Sequence, residues 1–278
     1  MSAPAGVLRL VATPIGNLSD LAPRAVEALR TADVILAEDT RRARALCSHL
    51  GLAGKRIERF DAEVERRGVD RLVERLRAGE TLALVSDAGM PAVSDPGAEL
   101  VRAAAAAGVG VIPVAGPSAV TAAVAASGFG GGYRFLGFLA RGGAERERAL
   151  ARIAATEEPV VLFESPERLG ATLRELAVRW PGRSAVVARE LTKVHEELVR
   201  GALVELARAE REWRGEITLV LGPAEPAPEV ATDEATLDAR LRALCDSGVH
   251  PRAAAKAVAL ESGLAVSVVY ARLMALRS

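Results

Sequence analysis

One alternation constrains this chain more than anything else in it. Short apolar runs recur along the sequence: VLRLVA (7–12), VILAED (34–39), TLALVSD (81–87) and VGVIPV (109–114). Between them lie stretches with helical spacing. SDLAPRAVEALRTA (19–32) offers a capping Ser or Asp, an early Pro23, and Ala22, Val26 and Leu29 on one face. TRRARALCSHL (40–50) closes at Gly51, the amphipathic DRLVERLRAG (70–79) stops at Gly79, and PGAELVRAAAAAG (96–108) reads as a further helix. Strand and helix in regular turn argue for an α/β protein with a mainly parallel sheet and helices on its faces.

The triple glycine in SGFGGGY (127–133) reads as a hinge between domains, after which the alternation resumes. FLGFLA (135–140), PVVLFES (159–165), SAVVARE (184–190) and GEITLVLG (215–222) are expected strands, with helices over GGAERERALARIAA and PERLGATLRELAVRW. PAEPAPEVAT (223–232) has the composition of a linker, and the alanine-rich remainder reads as helices with a turn at Gly263. The expected organisation is an N-terminal α/β domain over 1–126, a second α/β domain over 127–224 and a helical domain over 233–278. That last segment carries few charges, so a packing bundle or dimerisation tail is favoured over a nucleic-acid reader.

Bulk charge excludes little but is informative. Lys+Arg and Asp+Glu balance at 36 each in 278 residues, so any basic surface is local. Cys47 and Cys245 are far apart, and His49, His195 and His250 lack ligand spacing, so neither a disulfide framework nor a metal site is expected. Ala103–Phe129 is uncharged and long enough to cross a bilayer, yet Gly108, Gly110, Pro113, Gly116 and Pro117 break it. A strand, a turn and a small-residue helix AVTAAVAAS explain it better. The N-terminus has no basic segment followed by a long apolar core, so a cytoplasmic protein is expected.

Chemistry in open parallel sheets lies beyond the carboxyl ends of the strands. Four loops there are unusual: TPIGN (13–17), AEDTRR (37–42), SDAGMPAVSDPG (86–97) and AGPSAV (115–120). No P-loop is present and no GxGxxG follows the first strand, so a phosphate cradle is not favoured. Backbone amides, small residues and a few acids suit a neutral or cationic ligand bearing an amine and a ribose. The residues alone support a small-molecule pocket at the strand ends.

These segments, together with LFESPERL (162–169), ARELTKVHEE (188–197) and GEITLVLGP (215–223), resemble the tetrapyrrole-methylase superfamily, and within it the ribosomal RNA small-subunit methyltransferase I family. TPIGN stands where tetrapyrrole methylases carry a glycine-rich triplet. The resemblance implies two α/β domains with S-adenosylmethionine between them, a homodimer, and 2′-O-methylation of a cytidine ribose in 16S ribosomal RNA of the small subunit. It implies cofactor contacts from Ile15, Asp87, Ala88, Gly89, Met90, Ser118 and Ala119, with Phe163 and Thr218 from the second domain. The second Ser-Asp pair is expected to be structural, Ser94 or Asp95 capping a helix that opens at Pro96.

Methyl transfer to a hydroxyl needs a base, or a cation that stabilises the developing alkoxide. The candidates are Glu38, Asp39, Glu190 and Lys193, with Glu164 and His195 also considered. A neutral Lys193 can serve as base where an arginine cannot; an ion pair with a glutamate is the competing reading. Arg41 and Arg42 are expected to grip RNA phosphate, while Arg44 reads equally well as a solvated helix face, and Arg146, Arg148 and Arg152 read as surface. Sparse aromatics argue against a general stacking surface for single strands, and favour a substrate presented by the assembled subunit. The alternatives are a methyltransferase for a corrin precursor, one for the diphthamide pathway, and a ligand-sensing nucleic-acid-binding regulator.

Overall fold

The computed structural model describes residues 6–209, 211–224, 234–246, 249–262 and 266–277. They form two compact units, one ending at Pro223 and one beginning at Ala224.

The first unit holds two five-stranded sheets. In the first, β1 (Val7–Val11), β2 (Val34–Ala37), β3 (Ile57–Arg59), β4 (Leu82–Val85) and β5 (Gly110–Val114) lie in the order β3-β2-β4-β1-β5, all parallel. Four helices cover it: α1 (Pro23–Thr31), α2 (Thr40–His49), α3 (Ala62–Arg77) and α4 (Ala98–Ala106). The period of two along the strands divides the core. Val34, Leu36, Leu82 and Leu84 join Leu76 and Leu100 on one face, while Ile35, Ala37, Ala83 and Val85 join Ala28 and Leu29 on the other.

Strand order decides which loops meet. Because β1 lies between β4 and β5, the loops after these three strands share one rim, and the loop after β2 lies beyond β4. Thr13 and Gly89 exchange backbone hydrogen bonds of 2.9 and 3.0 Å, joining two of those loops directly.

The second sheet runs β6-β7-β10-β8-β9, from β6 (Arg134–Phe138), β7 (Val160–Glu164), β8 (Ser184–Arg189), β9 (Glu197–Ala202) and β10 (Ile217–Leu221). Here the expectation of a mainly parallel sheet is corrected. Only β6 and β7 are parallel; β10 is antiparallel to both β7 and β8, and β8 to β9. The tight turn 190–196 folds β9 back onto β8 as a hairpin. Helices α6 (Gly143–Ala154), α7 (Pro166–Arg179) and α8 (Leu203–Arg208) bury Leu150, Leu173 and Leu206 on one face. The other face is covered by α5 (Ala119–Ser127), whose Val120 and Ala123 pack on Val161, Val186 and Val220. Helix α5 thus leaves the first sheet at β5 and packs on the second.

Two helix starts differ from expectation. Helix α3 begins at Ala62 rather than 70, because the Asp61 carboxylate accepts from the N–H groups of Glu63 and Val64 at 3.0 and 2.9 Å. At α4 neither Ser94 nor Asp95 is the cap. Gly97 holds that position, and the Glu65 carboxylate accepts from the N–H groups of Gly97, Glu99 and Leu100 at 3.0, 2.8 and 3.2 Å. A carboxylate reaching across from α3 does the work assigned to the adjacent acid.

The second unit contains α9 (Glu234–Asp246), α10 (Pro251–Ser262) and α11 (Val266–Arg277) around Leu237, Leu241, Val258, Val269 and Leu273. The expected turn at Gly263 and most of the linker 223–232 lie outside the described residues. Among the described residues no helix is long and apolar enough to cross a membrane.

Candidate active site

A cavity of about 610 Å³ opens where the β1–β4–β5 rim faces the ends of the second sheet's strands. Ile15, Ala88, Gly89, Met90, Ser118 and Ala119 line it from the first sheet's loops, Phe163 and Thr218 from the second sheet. Most of the expected cofactor residues are therefore brought together. Gly89 takes φ +78°, which turns the chain at the rim and permits the bridge to Thr13. Ser118 caps α5, its side chain accepting from the Thr121 N–H at 3.5 Å.

Asp87 stands apart from that group. It lines a smaller cleft of about 310 Å³ with Thr13, Arg42 and His49. Its carboxylate accepts from the Asp39 N–H at 3.3 Å and lies 3.5 Å from Arg42. The acid of this loop that lines the larger cavity is Asp95, beside Val93 and Ser94. The expectation that Ser94 or Asp95 caps the helix follows from Ser-Asp-Pro-Gly, an ordinary capping pattern.

The loops of the two sheets touch beside the cavity. A Cβ placed on Gly137 would lie 3.0 Å from Ser94 Oγ, and one on Gly16 would lie 2.4 Å from Lys193 Cγ. The left-handed, non-glycine residues among those described are Ala92, Ser94, Glu190 and Thr192, with φ of +65°, +65°, +52° and +67°. Ala92 and Ser94 lie in the loop after β4, and Glu190 and Thr192 in the turn between β8 and β9, where strain is held in place by surrounding contacts.

Of the catalytic candidates, Lys193 and Glu190 form one cluster. Lys193 Nζ lies 2.8 Å from Glu190 Oε1 and 3.2 Å from Glu216 Oε2, and Glu190 also accepts from the Glu216 N–H at 2.8 Å. Burial works to lower the Lys193 pKa, but hydrogen bonds to Glu190 and Glu216 outweigh it and hold the amine above its ordinary value. Glu190 is likewise opposed by burial, yet Lys193 and the Glu216 N–H carry it below the usual carboxylate range. The structure therefore holds the ion-paired form of Lys193.

Glu38 and Asp39 follow β2, beyond β4. Asp39 caps α2 and binds the Arg41 guanidinium at 2.8 Å, which holds its carboxyl far below the usual range. Glu38 is raised, first by burial and then by the neighbouring Asp87 and Asp95. Arg41 and Arg42 are largely exposed at the head of α2. Glu164 is buried and committed, bonding the Ser165 N–H at 2.9 Å, Thr172 Oγ1 at 2.7 Å and Arg168 at 3.3 Å.

An aromatic wall went unread in the sequence. Phe135 and Phe138 flank Phe163 with ring centroids 5.0 and 5.5 Å away, and Tyr133 adjoins them in the cavity lining. Phe138 is 60% exposed. The β6–β7 register shifts between Phe135 and Phe138, and Gly137 is left-handed, so a bulge re-aims the ring. The signal available was that a chain with 3% aromatic residues places two of them in FLGFL.

Two α/β sheets meeting over a cavity at their strand ends define a recognisable class. The fold is that of solved methyltransferases: diphthine synthase (TM-score 0.60, 19% identity, 78% of this chain and 90% of that one) and uroporphyrin-III C-methyltransferase from Thermus thermophilus complexed with S-adenyl homocysteine (TM-score 0.55, 22% identity, 78% and 97%). The family model for Tetrapyrrole (Corrin/Porphyrin) Methylases matches residues 7–207, and the chain belongs to that family. Relatives named ribosomal RNA small subunit methyltransferase I are 41% identical in Synechocystis (93% of this chain, 94% of that protein), 41% in Xylella fastidiosa (97% and 99%) and 44% in Mycobacterium bovis (91% and 89%).

Proposed function

We propose that the protein methylates the 2′-hydroxyl of a cytidine ribose in 16S ribosomal RNA of the small subunit, using S-adenosylmethionine. The reading rests on the convergence of residues 88–90, 118–119, 163 and 218 on one cavity, in a chain whose near-full-length relatives carry that enzyme's name. The cavity fits the cofactor in size, in its mostly apolar walls and in presenting a carboxylate, Asp95, to a cationic ligand. When bound, S-adenosylmethionine supplies a methyl group already activated on a sulfonium.

What remains for the protein is positioning, with effective molarities equivalent to about 7–11 kcal/mol for well-oriented partners. Ile15, Met90, Ser118 and Ala119 hold the cofactor from one side, Phe163 and Thr218 from the other. Lys193, kept charged by its glutamates, is assigned to stabilise the alkoxide developing on the ribose oxygen. Glu190 serves to fix Lys193, and Asp39 serves as a cap. Glu38, whose carboxyl is raised first by burial and then by Asp87 and Asp95, lines neither cavity and is assigned no step. Arg41 and Arg42 are assigned to RNA phosphates. The same reading takes the chain as α/β lobes over 1–126 and 127–224 with a helical domain over 233–278, acting as a cytoplasmic homodimer.

The test uses methyl-labelled S-adenosylmethionine with unmodified small subunits and with naked 16S RNA, followed by nuclease digestion and mass spectrometry. Label on a cytidine ribose, stronger on subunits, is the expected result. No label on either substrate while the cofactor still binds would redirect the search to a corrin-like small molecule.

A further inference from the structure

We propose that Asp95 is the charge-reading residue of the cavity: its carboxylate balances the cofactor's positive charge and thereby separates S-adenosylmethionine from its demethylated product. The inference rests on the methyltransferase reading and assigns a role to a residue otherwise taken for a cap.

Three carboxylates line the cavity, and two of them have a cationic partner. Glu164 is bonded to Arg168, Thr172 and the Ser165 N–H, and Glu216 is paired with Lys193. Asp95 is partly buried, and its hydrogen bond comes from the Ser86 hydroxyl, which is itself anchored by the Ala88 N–H at 3.2 Å. Among the described residues no Lys, Arg or His stands within ion-pair distance of it. The charged groups acting on it are acids, Asp87 and Glu38. A partly desolvated carboxylate with acids near it and no paired cation is costly until a cation arrives.

The backbone points the same way. Capping of α4 is carried out by Glu65, so Asp95 is not needed there. The loop holds Ala92 and Ser94 in left-handed conformations on the way to Asp95, strain of the kind that ligand-binding loops store.

The reaction changes the ligand's charge by one. A ribose O–CH3 bond forms, the S–CH3 bond breaks with its electron pair returning to sulfur, and the hydroxyl proton departs to a base. The sulfonium becomes a neutral thioether, so the product carries no net charge where the cofactor carried one positive. A carboxylate in the wall favours the first over the second and eases product release.

Isothermal titration of S-adenosylmethionine, S-adenosylhomocysteine and sinefungin, whose amine replaces the methylsulfonium with another cation, tests this. Asp95→Asn is expected to weaken both cationic ligands about tenfold and the thioether by less than about threefold. Asp95→Glu keeps the charge and is expected to retain the preference for cations, which keeps the test decisive should the amide variant misfold. Equal weakening of all three ligands, or none, would overturn the assignment. So would loss of discrimination in Asp87→Asn instead. Failure of the unaltered protein to bind any of the three would overturn the methyltransferase reading beneath it.

Discussion

Lys193 is held charged by two glutamates, and this decides which chemistry it is suited to. If it acts as a cation, Lys193→Arg retains most of the turnover while Lys193→Met loses about 10²-fold in kcat with cofactor affinity little changed. Methylation kinetics beside cofactor titration check this; an arginine variant as inactive as the methionine one, with binding intact, would mean the neutral amine is the base. Asp95 gives a second prediction. Burial, and Asp87 beside it, raise its pKa against the opposing Ser86 hydrogen bond. A carboxyl raised in the folded state contributes stability that is full below its unfolded pKa and lost as pH rises through the folded value. Ligand-free Asp95→Asn is therefore expected to melt above the parent at neutral pH, with the gap closing in acid. Thermal melts across that range check it, and a parent that melts higher at neutral pH contradicts it. Ile15, Ala88, Gly89, Met90, Ser118 and Ala119, which line the larger cavity, were legible as a group because each belongs to a compact strand-end motif. The division of labour between Asp87, Asp95 and Glu65 was not, since a local Asp-Pro-Gly pattern gives no sign of a capping carboxylate arriving from another helix.

At the scale of elements, α4 depends on that borrowed cap. Removing it in Glu65→Ala leaves three N–H groups at the helix start without their acceptor, at a cost of about 0.5–2 kcal/mol. Chemical denaturation measures the loss, and a variant as stable as the parent would show that water replaces the carboxylate. The elements that escaped sequence reading share a physical cause. β3 has three residues and sits at a sheet edge, and β9 is an edge strand carrying Glu197 and Arg200. Glu197 is held between Arg189 at 3.0 Å and Arg211 at 2.7 Å, so polar pairs occupy places where an apolar alternation would have announced a strand. The antiparallel course of β10 escaped for another reason: a fully buried run such as ITLVL has no polarity to report its direction.

For the whole molecule, strand order and burial account for the site without the second unit. Its three helices have their own core, and the described residues that line the cavity all precede Pro223. A chain ending at Pro223 is expected to bind S-adenosylmethionine within about twofold of the full protein, read by titration. A tenfold loss would make the helical unit part of the cofactor site. The alternation of strand and helix made the first sheet readable as a parallel sheet, and its strand order explains why TPIGN, SDAGMPAVSDPG and AGPSAV converge on the larger cavity while AEDTRR reaches only the smaller cleft. Sequence spacing alone does not specify that order, because which strands neighbour one another depends on long-range pairing.

The methyl donor is expected in the larger cavity. A crystal structure of the protein with S-adenosylhomocysteine tests it most directly. Ligand density is expected against Met90, Ser118, Phe163 and Thr218, with Asp95 in the wall. Density in the smaller cleft beside Asp87 and Arg42 would contradict it.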